Sequence, residues 1–340
     1  MTKGRHLWIK DITNEDRVRG SYLVRQKTLG TTRKGDPFIS LTLADRTGEV
    51  DGKIWNDAEQ LYSLFEEGDV CVVEGKAGSY RGNIQITVSG ITAQKEAADP
   101  SIFQESAPVD LSEMMKSLRG ILRGVKNGHL KRLIERFLGD QRFVSQFQRA
   151  PAAKGFHHNY LGGLLEHTLS VCQMSKVVAE HYTQLDGDLL LTAAFLHDVG
   201  KIRELRVPPH IDYTDEGRLV GHLVLGTGML DEKLGEIKGF PQEMAIRLKH
   251  LILSHHGQYE FGSPKVPKFL EAIALNLIDD LDAKINGLNR FMERDRKEGS
   301  WTEFNRLLER YFLKGEILPV EDESDERGEQ SVKQETLFSQ

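Results

Sequence analysis

The chain has 340 residues, of which 39% are hydrophobic and 28% charged, as in folded globular proteins. This length predicts about two domains. The two cysteines, Cys71 and Cys172, exclude a disulfide scaffold and a cysteine-rich zinc finger, and they indicate a reducing compartment. Because the first residues lack a signal-peptide pattern and no apolar run reaches the ~20 residues of a membrane span, we expect a cytoplasmic protein without membrane association.

The net charge of −6 is unevenly distributed along the chain. Residues 321–340 hold seven acidic side chains against two basic ones, whereas residues 114–160 hold ten basic side chains against two acidic ones. The overall charge therefore does not argue against a nucleic-acid partner, because such a partner responds to the local charge.

The N-terminal part of the chain shows the two-residue alternation of β-strands. The alternating segments are 21–26, 38–43, 50–55, 70–75 and 84–88, and a helical pattern covers 57–67. Five strands with a helix before the fourth are typical of an OB-fold barrel. We therefore predict an all-β OB-fold, nucleic-acid-binding domain over residues 1–95.

A linker is predicted over residues 96–110, where alanine and proline recur. The pattern then becomes helical, with stretches at 111–122, 130–147, 164–182, 189–201, 219–234, 242–255, 269–296 and 303–313. These stretches predict an all-α domain over residues 111–318. The acidic residues 319–340 are predicted to be a disordered tail.

Ten of the twelve histidines lie between His157 and His256. The pair His197-Asp198 ends an apolar helical stretch, which by itself is also compatible with an ordinary helix end. Other metal-capable side chains also follow apolar helical stripes, namely His167, His222, His255-His256 and Asp279-Asp280. Side chains buried in such places need partners. Five such positions without cysteine favour shared metal ions.

The donor set indicates which metals would bind. Imidazole and carboxylate together suit Mn²⁺, Fe²⁺ or Co²⁺ better than Mg²⁺, which prefers oxygen. The carboxylate of Asp198 can bridge two ions. Two ions ~3.5–4 Å apart can activate a water molecule and clamp a phosphoryl oxygen. We expect two divalent ions, with manganese preferred and iron, cobalt or magnesium as alternatives.

The order His167, His197-Asp198, His222, His255 and Asp279 resembles the HD superfamily of metal-dependent phosphohydrolases. More specifically, segments 150–158, 162–168, 213–217, 254–257 and 279–284 are similar to the YhaM family of bacterial 3′→5′ exoribonucleases. That family also carries an OB-fold before its HD domain. The resemblance covers nearly the whole chain except the acidic tail.

The resemblance implies a role for each matching residue. One metal would be held by His167, His197, Asp198 and Asp279, and the second by Asp198, His222 and His255. His256 is either a further ligand or a donor to one. Asp198 and Lys201 are the catalytic candidates, since Lys201 would lie over the same helical face, near the bound phosphate.

Three residues of the loop before His167 are candidates for substrate binding. Lys154, His157 and His158 either grip a phosphate or pack their loop. Asp280 and Asp282 are read as solvent-facing groups or as groups behind the ligands, because they cannot share the direction of Asp279 on a helix.

In the OB-fold, the candidate contacts are Arg33 and Lys34 in the first loop and Tyr80 and Arg81 in the last turn. Phe38 and Trp55 flank the central strands and either stack bases or fill the barrel, and for Trp55 the prediction is that it fills the barrel. The basic residues of segment 114–160 are either a solvated face or part of an RNA channel.

The leading hypothesis is a metal-dependent 3′→5′ exoribonuclease that hydrolyses single-stranded RNA to nucleoside 5′-monophosphates. Single-stranded DNA is a second candidate substrate. The alternatives are an HD-type nucleotide phosphohydrolase, which leaves the OB-fold without a role, and a non-catalytic nucleic-acid-binding regulator. The sequence leaves a homo-oligomer open.

Overall fold

The computed structural model describes residues 6–80, 82–94, 102–103, 110–155, 157–207, 211–295 and 297–315. The chain divides into two compact units, residues 1–288 and 289–340. Arg81, most of the predicted linker and the predicted acidic tail at 319–340 lie outside the described residues.

A closed β-barrel forms the N-terminal part of the larger unit. Its strands are β1 (Arg17–Thr31), β2 (Pro37–Asp45), β3 (Gly48–Ile54), β4 (Val70–Tyr80) and β5 (Asn83–Ala93), joined in the order β1-β2-β3-β5-β4. The short helix α1 (Ala58–Tyr62) lies between β3 and β4. This arrangement confirms the predicted OB-fold, although the helix is shorter than the predicted segment 57–67.

Alternation along the strands builds the barrel core. In β2, Ile39, Leu41 and Leu43 are fully or almost fully buried, and every second side chain of a strand points to the same face. A small cluster outside this core joins Phe103, from the predicted linker, to Leu23 and Ala44.

Ten helices follow the barrel in the described part of the chain, which confirms the predicted helical region. They are α2 (Leu111–Leu122), α3 (Gly128–Gly139), α4 (Gln141–Arg149), α5 (Gly163–His181), α6 (Gly187–Leu196), α7 (Lys201–Glu204), α8 (Asp215–Leu219), α9 (His222–Gly235), α10 (Gln242–Ser254) and α11 (Leu270–Arg294). A two-residue ladder between β6 (Leu205–Arg206) and β7 (Asp212–Tyr213) was not predicted.

The predicted helix 130–147 is two helices, because Asp140 interrupts it. Its backbone is extended, and its side-chain oxygen accepts hydrogen bonds from the first amides of α4, those of Arg142 and Phe143. Aspartate is a favoured N-cap, so the chain turns at this residue instead of continuing the helix.

Helix α6 lies at the centre of the helical core. All residues from Leu189 to Leu196 are buried, so the helix has no polar face. The one hydroxyl in this stretch, on Thr192, donates to the carbonyl oxygen of Asp188. Since a helix that is apolar all round is stable only when surrounded, the residues that follow α6 are carried into the interior.

The smaller unit contains no helix over residues 303–313, so that prediction is wrong. Isolated β-bridges join Trp301 to Leu313 and Asn305 to Arg310. The side-chain oxygen of Asn305 accepts hydrogen bonds from the amides of Leu307 and Leu308. Asparagine stabilises a turn in this way, and the turn replaces the predicted helix.

Candidate metal centre

The predicted ligands come from five helices and meet in the larger unit. His197 and Asp198 directly follow α6, and His255 and His256 directly follow α10. His167 lies on α5, His222 begins α9, and Asp279 lies on α11. Gly200 allows the close packing of α9, because a Cβ at this position would lie 2.0 Å from the carbonyl oxygen of His222.

The carboxylate of Asp198 lies between two groups of histidines. Its Oδ2 is 3.6 Å from His167 Nε2 and 3.4 Å from His197 Nε2. Its Oδ1 is 3.5 Å from the Nε2 atoms of both His222 and His255. One oxygen of Asp198 therefore faces each group of histidines.

Asp279 completes the first group. Its Oδ1 is 3.0 Å from His167 Nε2 and 3.6 Å from His197 Nε2. In the second group, the Nε2 atoms of His222 and His256 are 3.2 Å apart. His256 therefore presents a ligand atom together with His222 and His255. This position agrees with the alternative in which His256 is a further metal ligand.

Backbone carbonyls fix the direction of three imidazoles. The Nδ1 atoms of His197, His255 and His256 lie 2.8, 2.8 and 3.0 Å from the carbonyl oxygens of Ala194, Ile252 and Phe261. A carbonyl only accepts, so each Nδ1 carries the hydrogen and, in the neutral ring, each Nε2 keeps a lone pair facing inward.

Carboxylates fix the other two imidazoles. His167 Nδ1 is 2.7 Å from Asp282 Oδ2, and His222 Nδ1 is 3.0 Å from Glu204 Oε1. The expectation that Asp282 cannot share the direction of Asp279 is wrong, because both carboxylates contact His167. Glu204 was not among the predicted site residues. The available signal was spacing, since Asp282 follows Asp279, and Glu204 follows Lys201, by one helical turn.

These residues fit divalent cations. Burial and the neighbouring imidazoles lower the pKa of His256 to about 3, so its Nε2 lone pair faces the Nε2 of His222. Asp198 Oδ1 is buried and has no hydrogen-bond partner among the described residues. Lone pairs and a carboxylate oxygen directed into one buried space need a cation to compensate them.

The two neighbouring carboxylates favour the protonated form of His197. Burial opposes ionisation of His197, but Asp198 and Asp279 outweigh it and raise the pKa of His197 to about 10. The Nε2 atoms of His167 and His197 are 3.1 Å apart. Metal binding would release a proton from His197, because the ligand must be the neutral imidazole.

Lys201 is buried beside the same carboxylate, with its Nζ 2.6 Å from Asp198 Oδ2. Burial acts to raise the pKa of Asp198, but the Lys201 ammonium and His197 hold that pKa well below its usual value. Asp198 is therefore ionised at neutral pH, as a metal ligand must be.

The structure separates the three predicted phosphate contacts of the loop before α5. Lys154 is exposed, and its Nζ donates to Asp212 Oδ1 at 2.8 Å. The ring of His157 lies 5.6 Å from that of His167, and burial and Lys201 lower its pKa to about 3. His158 is buried and contacts Asp282, as expected of the alternative in which it packs its loop.

The barrel carries its candidate contacts on the outside. Arg33 and Lys34 are exposed in the loop between β1 and β2, and Tyr80 is exposed at the end of β4. The prediction that Trp55 fills the barrel is wrong, because its side chain is 47% exposed. Its neighbour Ile54 points inward, so alternation directs Trp55 outward.

Trp55 is part of an aromatic pair on the surface of the barrel. Its ring centroid is 5.2 Å from that of Phe38, and Lys53 Nζ lies 5.0 Å from the Phe38 ring. Two aromatic faces beside an ammonium group suit stacked bases and a phosphate backbone.

A histidine–aspartate metal centre in a helical core, preceded by a five-stranded barrel, defines an HD-domain protein with an OB-fold. The model of the HD domain matches residues 164–284, and the model of the OB-fold nucleic acid binding domain matches residues 10–93. The HD domain and its histidine and aspartate groups bind divalent metal.

The chain is also similar to curated proteins over most of its length. It is 35% identical over 302 residues to the 3′-5′ exoribonuclease YhaM of Bacillus velezensis, covering 88% of this chain and 95% of that protein. It is 37% identical over 295 residues to the 3′-5′ exoribonuclease YhaM of Bacillus subtilis, covering 86% and 93%. The chain belongs to the YhaM family.

Among the described residues, no helix combines the length and the apolar character that crossing a membrane requires.

Proposed function

We propose that this protein is a metal-dependent 3′→5′ exoribonuclease that hydrolyses single-stranded RNA to nucleoside 5′-monophosphates. The observation that carries the proposal is the convergence of His167, His197, His222 and His255 on the two oxygens of Asp198. Asp279 Oδ1 lies beside His167 and His197 in the same site. Its support is the relationship to the YhaM exoribonucleases across both domains. The protein acts in the cytoplasm, and single-stranded DNA is a second substrate.

Two divalent ions would be held here, with manganese preferred because the donors are imidazole and carboxylate. His167, His197, Asp198 and Asp279 would hold the first, and Asp198, His222 and His255 the second, with His256 as a further ligand. When bound, such ions lower the pKa of water and polarise a phosphoryl oxygen.

The chain's own residues prepare the site for hydrolysis. The fixed Nδ1 hydrogens keep the Nε2 lone pairs directed inward, and Lys201 keeps Asp198 ionised and adds a positive charge near the reacting phosphate. In the reaction, water adds to the terminal phosphorus. The bond from phosphorus to the 3′-oxygen of the preceding nucleotide breaks, and that oxygen leaves as a hydroxyl after taking up a proton.

RNA binding is assigned mainly to the barrel. Phe38, Trp55 and Tyr80 would stack bases, while Arg33, Lys34 and Arg81 contact phosphates. Lys154, His157 and the exposed basic side chains of segment 114–160 would guide the strand toward the metals, since a path for phosphates must be positive. The proposed domains are residues 1–95 and 111–318.

A homo-oligomer is also proposed, on the evidence of an exposed apolar stripe on α11. Leu270, Ile273, Leu277 and Leu281 are each about half exposed or more, and they line a groove of about 500 Å³ against α5. Light scattering coupled to size exclusion tests this point, with Leu277→Glu expected to shift the mass to that of one chain.

The decisive assay uses 5′-labelled single-stranded RNA, DNA of the same sequence and free nucleotides, each incubated with the protein and Mn²⁺. We expect a ladder of 5′-labelled RNA products that shorten from the 3′ end, together with unlabelled nucleoside 5′-monophosphates. An RNA that carries a 3′-terminal phosphate is a useful second substrate. Because this group blocks the end that is attacked first, the shortened products should form more slowly.

Two outcomes contradict the proposal. Release of phosphate or pyrophosphate from free nucleotides, without RNA cleavage, identifies a nucleotide phosphohydrolase. Tight RNA binding without any cleavage over a series of metals identifies a non-catalytic regulator. The EDTA-treated protein is the control in each arm.

A further inference from the structure

Asp282 lies directly behind the proposed ligand His167. Its Oδ2 is 2.7 Å from His167 Nδ1 and 3.0 Å from His158 Nε2, and Ser170 Oγ donates to its Oδ1. Both oxygens of this carboxylate are therefore engaged, and the carboxylate is held in one orientation.

His158 is itself fixed on its other side. Its Nδ1 is 3.1 Å from the hydroxyl of Tyr160, and that hydroxyl donates to Glu166 Oε2 at 2.8 Å. The side chain of His158 is 4% exposed, so it is packed between Tyr160 and Asp282 and does not face the solvent. A buried side chain with these two partners is poorly placed to grip a phosphate.

The backbone at His158 is held in an uncommon conformation. Its φ angle is +43°, in the left-handed region that residues other than glycine rarely adopt. The amide of His158 donates to Asn286 Oδ1 at 2.9 Å, and its carbonyl oxygen accepts from the amide of Ala152 at 3.1 Å.

The neighbouring chain also makes room for this conformation. A Cβ at Gly163 would lie only 1.9 Å from the carbonyl oxygen of His158. Backbone conformations of this kind persist where the surrounding structure holds them, and they are concentrated at functional sites.

We propose that Asp282 and His158 are positioning residues for His167. Asp282 fixes the hydrogen on His167 Nδ1 and so directs the Nε2 lone pair to the metal, while His158 holds Asp282 in place. This inference rests on the proposed metal-dependent function and deepens it. Partners of this kind orient ligating histidines, and their loss costs about 10- to 100-fold in metal affinity.

The test is a calorimetric titration of Mn²⁺ into the chelator-stripped, full-length chain. Asp282→Asn keeps the shape of the side chain but replaces one acceptor oxygen by a donor. We expect it to weaken binding of one ion by about 10- to 100-fold and to leave the affinity for the other ion unchanged. His158→Gln should weaken the same ion by about fivefold, because it acts through Asp282.

Asp280→Asn is the matched control. It is the same substitution on the same helix, but Asp280 is exposed and pairs only with Lys284 Nζ at 2.7 Å among the described contacts. Its Mn²⁺ affinity should equal that of the unmodified protein. Circular dichroism in EDTA establishes that each variant is folded.

The outcomes separate this inference from the proposed function. If folded Asp282→Asn binds both ions as tightly as the unmodified protein, Asp282 does not position His167 and the inference is wrong. If His158→Gln raises the KM for RNA while Mn²⁺ binding is unchanged, His158 is a substrate contact instead. If the unmodified protein binds no divalent ion, the proposed function fails, and this inference fails with it.

A less disruptive variant covers the case in which Asp282→Asn does not fold. Ser170→Ala removes only the hydrogen bond to Asp282 Oδ1, and it should weaken the same ion by about threefold. Unchanged affinity in this variant overturns the inference.

Discussion

The barrel and the helical region of this protein differ in whether a buried charged group has hydrogen-bond partners for its polar atoms. The barrel buries Lys27, but the carbonyl oxygens of Tyr62 and Phe65 and the carboxylate of Glu66 accept from its ammonium group. In the helical region, Asp198 is equally buried, yet its Oδ1 has no hydrogen-bond partner among the described residues. A buried charge that is satisfied by its neighbours supports the fold, whereas one left incomplete marks a place for a ligand.

The two regions also differ in the exposure of their functional side chains. The barrel side chains proposed to contact RNA, Arg33, Lys34, Trp55 and Tyr80, are exposed, while those of His167, His197 and His255 are almost completely buried. Substitutions on the barrel should therefore change RNA affinity without changing metal binding. Substitutions at the metal centre should do the reverse.

The largest effect is expected for Asp198→Asn. The variant loses the bridging carboxylate, so hydrolysis should fall by about 10³-fold or more, beyond the loss typical of one stabilising donor. RNA binding measured by fluorescence anisotropy should change little, because the barrel is unaltered. Cleavage at the normal rate with normal metal content would show that Asp198 does not bridge two metals.

The second-largest effect is expected for removal of the metal. EDTA should abolish cleavage. Because bound ions stabilise only the folded state, EDTA should also lower the unfolding free energy of the helical region by about 3 kcal/mol, as expected for a ligand present at 100-fold its Kd. The melting temperature followed at 222 nm should fall by about 5–10 °C. Excess Mn²⁺ should restore both, and an unchanged melting temperature would contradict a metal bound in the core.

Trp55→Ala tests the barrel surface. Loss of one stacked base costs about 1–3 kcal/mol, so the Kd for long single-stranded RNA should rise roughly 5- to 150-fold. The kcat should remain unchanged, since the metal centre is intact. Leu64→Ala is the control, because Leu64 is an exposed apolar residue with 64% exposure and no aromatic face. Equal Kd values for both variants would remove Trp55 from the RNA surface.

The smallest effect is expected for the double variant Arg33→Ala, Lys34→Ala. Loss of two phosphate contacts should reduce the slope of log Kd against log salt by about 1.4, with only a modest loss of affinity near physiological salt. Binding measured over a salt series gives this slope directly. A slope identical to that of the unmodified protein would mean that neither side chain contacts a phosphate.

The sequence by itself determined the features that depend on local periodicity and residue chemistry. Two-residue alternation predicted the five strands, and apolar helical stripes predicted most of the helices. The histidine and aspartate pattern also predicted a shared metal centre, because buried imidazoles and carboxylates need partners wherever the chain places them. At Asp140 and Asn305, periodicity alone predicted a helix, but the side chain of each residue hydrogen-bonds to the backbone and turns the chain.

Tertiary packing sets which side chains contact the predicted metal ligands and which face the solvent. Asp280 and Asp282 are two residues apart on α11, yet Asp282 contacts His167 and Asp280 pairs with Lys284. Trp55 is exposed because its neighbour Ile54 is inside the barrel. Helical spacing can place Asp282 on the face of Asp279, but the elements that pack against each face come from residues distant in sequence.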